Sequence, residues 1–234
     1  MEIVELALAI FAGTSATVGF ATLVRAGWVR TIGRRRHARD LVERITPGLR
    51  LSYVESVLGP ARTRNEVDGW VEWVWIDPLY YVQICGRGDS DCAERIAVTS
   101  RDLRFRPGVN LGSGNVRLHK STFADAIGSD GEFVLHWGAR RFVASESKYL
   151  ANPGSYLTLA VAASDAAASK NLEVPAGESA GLSGAYTDAD IPAVLRHFRE
   201  TTTINTFSIS GRGVGEDPFT LGADLDNVRY LSSK

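Results

Sequence analysis

The sequence predicts an α+β protein: an N-terminal transmembrane helix, then antiparallel sheet with short helices packed on one face. Three observations carry this. Leu6 to Val24 is 19 residues without a charge. Residues 45–99 read as a turn, a short helix and three strands. The same helix end, Asp-Gly pair and tryptophan-bearing strand then recur beyond residue 115, which suggests two tandem helix-plus-meander repeats. The expected organisation is an anchor (1–25), a basic juxtamembrane helix or linker (26–44) and a first α/β unit (45–100). A second unit with an extra helix and strand (115–210) and a tail (211–234) follow.

A helix of about 20 apolar residues spans a bilayer core. A signal peptide wants positive charge before its apolar run, whereas Glu2 and Glu5 precede this one. Ala9, Gly13 and Thr17, and Ser15 and Gly19, place small residues at four-residue spacing. That spacing lets two such helices pack closely as a homodimer, although small residues are also common in anchors. Arg25, Arg30, Arg34, Arg35, Arg36 and Arg39 follow, with nothing basic on the N-terminal side. The asymmetry places the N-terminus outside and residues 25–234 in the cytoplasm, at the inner (plasma) membrane. Arg30, Arg34, Arg35 and Arg36 read as a topology determinant lying against lipid head groups. A net charge of −1 argues against a global grip on nucleic acid, and no nucleic-acid partner is expected. Arginine outnumbers lysine 22 to 4, the usage of a GC-rich bacterial genome. Arg39 to Ile45 continues as helix.

Pro47-Gly48 is a turn signal. Ser52 and Glu55 have capping-box spacing, and Val54, Val57 and Leu58 share one helical face. Gly59-Pro60 ends the helix. Asn65 to Gly69 is polar and turn-like. Trp70 to Ile76, Leu79 to Cys85 and Arg95 to Thr99 are strands by their aromatic and β-branched content.

The order Pro47-Gly48-Leu49-x-Leu51-Ser52-x-Val54-x-x-Val57-Leu58-Gly59-Pro60, then Asp68-Gly69-x-x-x-Trp73, then a meander, carries a resemblance. It resembles the small α/β domains of the outer-membrane assembly lipoproteins (SmpA/OmlA) and of the β-lactamase inhibitory proteins. The resemblance covers about a quarter of the chain. It implies a helical turn with a Leu-Gly-x-Pro-like ending packed on an antiparallel sheet, and it carries over no binding residues. No lipobox cysteine stands near the N-terminus, which departs from the lipoproteins.

Cys85 and Cys92 flank a hairpin tip. In an oxidising compartment they can pair; the expected cytoplasmic placement argues for free thiols. Between them lies Arg87-Gly88-Asp89, an adhesion tripeptide if the loop is extracellular and a plain turn if it is not. Arg101 to Gly114 is polar and marks a boundary. Phe123, Ala126, Ile127 and Gly128 then occupy the places of Val54, Val57, Leu58 and Gly59. Asp130-Gly131 precedes Trp137 as Asp68-Gly69 precedes Trp75, with a loop seven residues shorter. Arg140 to Ser145 and Tyr156 to Ala163 read as strands, and Asn171 to Tyr186 as loop. Thr187 to Asp190 has a capping-box pattern. Ile191, Val194, Leu195 and Phe198 give one apolar helix face running to about Glu200, and Ile204 to Ser210 alternates as a strand.

The sequence names no reaction. None of His37, His119, His136 and His197 stands at metal-ligand spacing, and no nucleophile elbow is present. Gly211 to Gly215 leads into Glu-Asp-Pro, unlike a phosphate cradle. No cofactor and no metal are expected. Trp70, Trp73 and Trp75 are the candidate partner-binding residues, Trp70 on one strand face and the other two on the opposite one; core packing is their competing fate. The favoured function is a membrane-anchored, non-enzymatic protein-binding module. The alternatives are an enzyme or small-ligand sensor using His119, His136 or Glu132 between the two units, and extracellular adhesion through Arg87-Gly88-Asp89.

Overall fold

The computed structural model describes residues 33–110, 115–129, 131–138, 141–152, 155–164, 184–211 and 221. Its helices are α1 (Arg34–Val42), α2 (Leu51–Leu58), α3 (Phe123–Ile127) and α4 (Ala193–Thr201). The strands are β1 (Thr63–Val67), β2 (Trp70–Ile76), β3 (Tyr80–Arg87), β4 (Arg95–Ser100), β5 (Gly108–Asn110) and β6 (Asn115–Arg117). They continue as β7 (Glu132–Gly138), β8 (Arg141–Asn152), β9 (Ser155–Ser164), β10 (Gly184–Tyr186) and β11 (Thr206–Ser210). The chain divides into two compact units, Met1–Asp40 and Leu41–Lys234. Of the first, the described part is the start of α1. The segment 6–24 and Arg30 lie outside the described residues. No helix among the described residues is long and apolar enough to cross a membrane.

The second unit is α+β, built on a nine-stranded antiparallel sheet of order β1-β2-β3-β4-β11-β9-β8-β7-β10. Alternation along each strand and register between strands give each face its chemistry. The row Trp75, Val82, Val98, Phe207, Val161, Glu146, Phe133 crosses from β2 to β7. All but Glu146 are apolar. Three helices cover this face. Trp75 donates its indole N–H to Gly59 O at the end of α2, 2.7 Å away. Phe123 of α3 meets Phe133 at 5.6 Å, and Phe198 of α4 meets Phe142 at 5.8 Å, ring centroid to centroid. The aromatic cluster closes on itself, since Phe123 also lies 6.0 Å from Phe198.

The charged member of the row is tied to α4. Glu146 is 1% exposed, and the Arg199 Nε–H donates to its two oxygens at 2.9 and 2.8 Å. The Arg199 guanidinium also donates to Gly128 O at the end of α3. One arginine thus binds α4 to β8 and to α3. Gly131 makes room for it: a Cβ there would overlap both Glu146 Oε1 and Ile127 Cγ2.

Both short helices end on a left-handed glycine, Gly59 at φ 82 and Gly128 at φ 77. Their starts differ. Thr122 and Asp125 form a reciprocal capping box on α3. The capping box read at Ser52 and Glu55 does not form, because α2 begins at Leu51 behind Arg50. The first-turn donor Leu51 N–H goes instead to Asp91 O, 2.8 Å away on the β3–β4 loop. Tertiary structure has satisfied the group that a side-chain cap would have served. Thr187 donates its backbone N–H and its hydroxyl to Asp190, but α4 starts later, behind Pro192.

Several short strands were not legible as strands. Residues 65–67, read as turn, belong to β1. It is a polar edge strand whose charge masks any alternation. Asp68 (φ 51) and Gly69 (φ 77) are both left-handed, as a two-residue I′ hairpin requires. β1 supplies five of the seven residues that the second helix-to-strand loop lacks. β5 and β10 have three residues each and arise in stretches read as a polar boundary and as loop, and the three-residue β6 opens the expected second unit.

Candidate functional site

The opposite sheet face carries no described helix. Its central row is Asn65, Glu72, Cys85, Arg95, Ser210, Thr158, Tyr149, from β1 to β8. The next row is Val74, Gln83, Ala97, Ser208, Ala160, Ser147, Glu132. Small and polar side chains dominate both.

The face changes character along its length. On β2 and β3 the polar groups are buried and paired with one another. The Glu72 carboxylate accepts from Asn65 Nδ2 at 2.7 Å and from Gln83 Nε2. Arg95 donates to Cys85 Sγ at 3.1 Å. Such a network makes that end rigid, because removing any member strands a buried partner. On β7 and β8 the face opens to solvent. Glu132, Val134, His136 and Tyr149 are exposed, with Ser147 and Thr158 half-buried between them. Tyr149 is 53% exposed, the largest exposure among the described large apolar side chains.

The three tryptophans are divided as their alternation predicts, and two of them are core. Trp70 and Trp75 are each 3% exposed, on opposite faces, and Trp73 is half-buried beside Trp75 on the helix-covered face. The ring of Trp70 is capped by Arg87, whose guanidinium carbon sits 4.0 Å from the ring centroid. Arg87 therefore packs on its register partner, while Gly88 N–H bonds Gly69 O at 2.9 Å in the neighbouring hairpin. Cys85 is buried, Cys92 is exposed, and they do not form a disulfide. Arg34, Arg35 and Arg36 fill the first turn of α1, which holds no acidic residue.

His119, His136 and Glu132 are not brought together. His136 and Glu132 are both exposed, on the open end of the face that carries no described helix. His119 is 5% exposed in the turn after β6, with a left-handed backbone at φ 56. Neither of its ring nitrogens has a hydrogen-bond partner. Burial, reinforced by Arg106 and opposed by Asp102, holds its pKa down at about 4. Its N–H bonds Ile204 O, 2.8 Å away, and so ties the turn to the approach to β11. Burial likewise pushes the Glu146 carboxyl up against the pull of Arg199, and Glu146 in turn raises the arginine. Sequence alternation had no way to find this pair, because Glu146 sits in the middle of an apolar row.

Among the described residues no cluster of His, Cys, Asp or Glu is arranged to hold a metal ion. Two of the clefts lined by described residues bear on function. One, of about 310 Å³, lies where α2 meets β2 and β3, around Pro60, Arg62, Trp75 and Asp77. The other, of about 320 Å³, lies over the central strand β11 and under the β5–β6 hairpin. Comparison of the chain with protein-family models, with curated proteins and with solved structures finds no match.

Proposed function

We propose that the chain is a membrane-tethered, non-enzymatic binding module that receives a protein partner on the open end of the sheet face that carries no described helix. The observation that carries this is Tyr149. Its side chain is half in solvent on the interior of a long strand, with Ser147 and Thr158 beside it. A rigid, exposed aromatic on a flat face is the kind of group that dominates protein interfaces.

Two further features support the reading. The uncharged segment 6–24 and the arginines after it suit a single-pass anchor with the sheet on the cytoplasmic side. Arg34, Arg35 and Arg36 stand at the helix end where the dipole favours anions, a cost that anionic head groups would offset. We also read the sheet as a duplication. α2 with β2–β4, and α3 with β7–β9, each run helix, left-handed glycine, three-stranded meander, and the two meanders flank β11.

The test is a photo-crosslinking amino acid at position 149 in cells, with position 53 on α2 as the control. A discrete adduct at 149, absent at 53 and lost when Ser147→Arg is added, supports the reading. No adduct at 149, or equal adducts at both positions, overturns it.

A further inference from the structure

We infer that the cleft over β11 is a binding site for a small monocarboxylate with an apolar body. The inference does not rest on the membrane tether or on a protein partner. The floor is apolar and built from two parts of the chain: Val42 at the end of α1 with Ile45 just after it, and Phe207 and Ile209 on the central strand. All four are buried, so the floor is part of the core and keeps its shape without a ligand. Val109 forms one wall, on the β5–β6 hairpin.

The rim is polar and carries one charge of each sign, Arg117 and Glu43. The Arg117 guanidinium has no partner among the described residues; its backbone N–H, by contrast, is held by Ser121 Oγ at 3.1 Å. The Glu43 carboxylate keeps its charge but is held to the hairpin backbone, its Oε1 accepting from Gly108 N–H at 2.9 Å, which leaves Arg117 to meet a ligand. Asn115 and Thr46 add neutral hydrogen-bonding groups. A guanidinium at the edge of an apolar pocket recognises a carboxylate by paired, charge-assisted hydrogen bonds. At ~30 Å³ per water, the cleft has room for about ten waters, or an acid of about a dozen heavy atoms.

The geometry also explains a glycine. A Cβ at Gly108 would stand 2.7 Å from Val116 O and 2.9 Å from Arg117 Cγ. Gly108 thus lets the arginine stem lie across the hairpin toward the cleft.

The probe is 4-phenylbutyrate, with 4-phenylbutyramide as its uncharged counterpart. Each is titrated into the full-length chain labelled at Ile and Val methyls, at neutral pH. Saturable shifts confined to Val42, Ile45, Val109 and Ile209 are expected with the acid, and at least tenfold weaker binding of the amide. Arg117→Gln is expected to bring the acid down to the amide's affinity and to leave the amide unchanged. Thr46→Trp, on the exposed rim, is expected to weaken both. Absence of saturable shifts at those methyls, equal affinity for acid and amide, or an unaltered acid affinity in Arg117→Gln would each overturn the inference.

Discussion

His119 is a titratable group held away from water. It is buried, unpartnered at both ring nitrogens and left-handed in its backbone. Its folded pKa of about 4 lies below the ordinary imidazole value of 6.5. Between these values the unfolded chain binds the proton and the folded chain does not, so stability rises with pH across the window. The histidine therefore contributes a loss of about 3 kcal/mol as pH falls from 6.5 to 4, at 1.36 kcal/mol per unit. Urea midpoints measured across that range should show this slope, and His119→Asn, which tolerates the left-handed backbone, should flatten it. Arg199 makes a second prediction at this scale. Arg199→Met leaves the Glu146 charge buried without its partner and should cost about 3–5 kcal/mol. Adding Glu146→Leu should restore much of the loss. A double variant no more stable than the single one would show that the arginine acts through Gly128 alone.

At the scale of elements, the two glycine-ended helices make a matched pair of experiments. No atom lies within 4 Å of a Cβ built on Gly59 or on Gly128. Alanine at either position therefore meets only backbone strain, about 1–2 kcal/mol. Gly131→Ala should cost more than either, because it displaces the Glu146–Arg199 pair. Thermal unfolding of the three variants ranks them directly. The elements also show what the sequence can and cannot reveal. β2 was legible to the residue because Trp70 to Ile76 are aromatic or β-branched at every position but Glu72. Gly59 and Gly128 marked helix ends because left-handed backbone favours glycine. β1 was illegible because both of its faces are polar, Arg64 and Glu66 on one and Thr63 and Asn65 on the other. The capping box at Ser52 misled because Asp91, forty residues away in the chain, supplied the acceptor. The cleft over β11 was hidden for the same reason: Arg117, Val42 and Phe207 are brought together only by the sheet.

At the scale of the whole molecule, the two cysteines report both fold and topology. A membrane-impermeant maleimide should label only Cys92 in the folded protein, and both thiols in urea. In intact cells Cys92 should stay unlabelled until lysis if the sheet is cytoplasmic. Labelling of intact cells would reverse the proposed orientation. The sheet order has its own consequence for how the protein is made. β4 ends at Ser100, and its neighbour β11 ends at Ser210. At 5–20 residues per second, roughly 5–20 s of synthesis separate the two. During that interval the inner edges of both meanders are exposed, each a template for any other strand. The nascent chain passes through a state in which two half-sheets await one short segment. A ribosome that stalls near residue 200 would release a chain with two open edges, a substrate for chaperones rather than a smaller version of the protein.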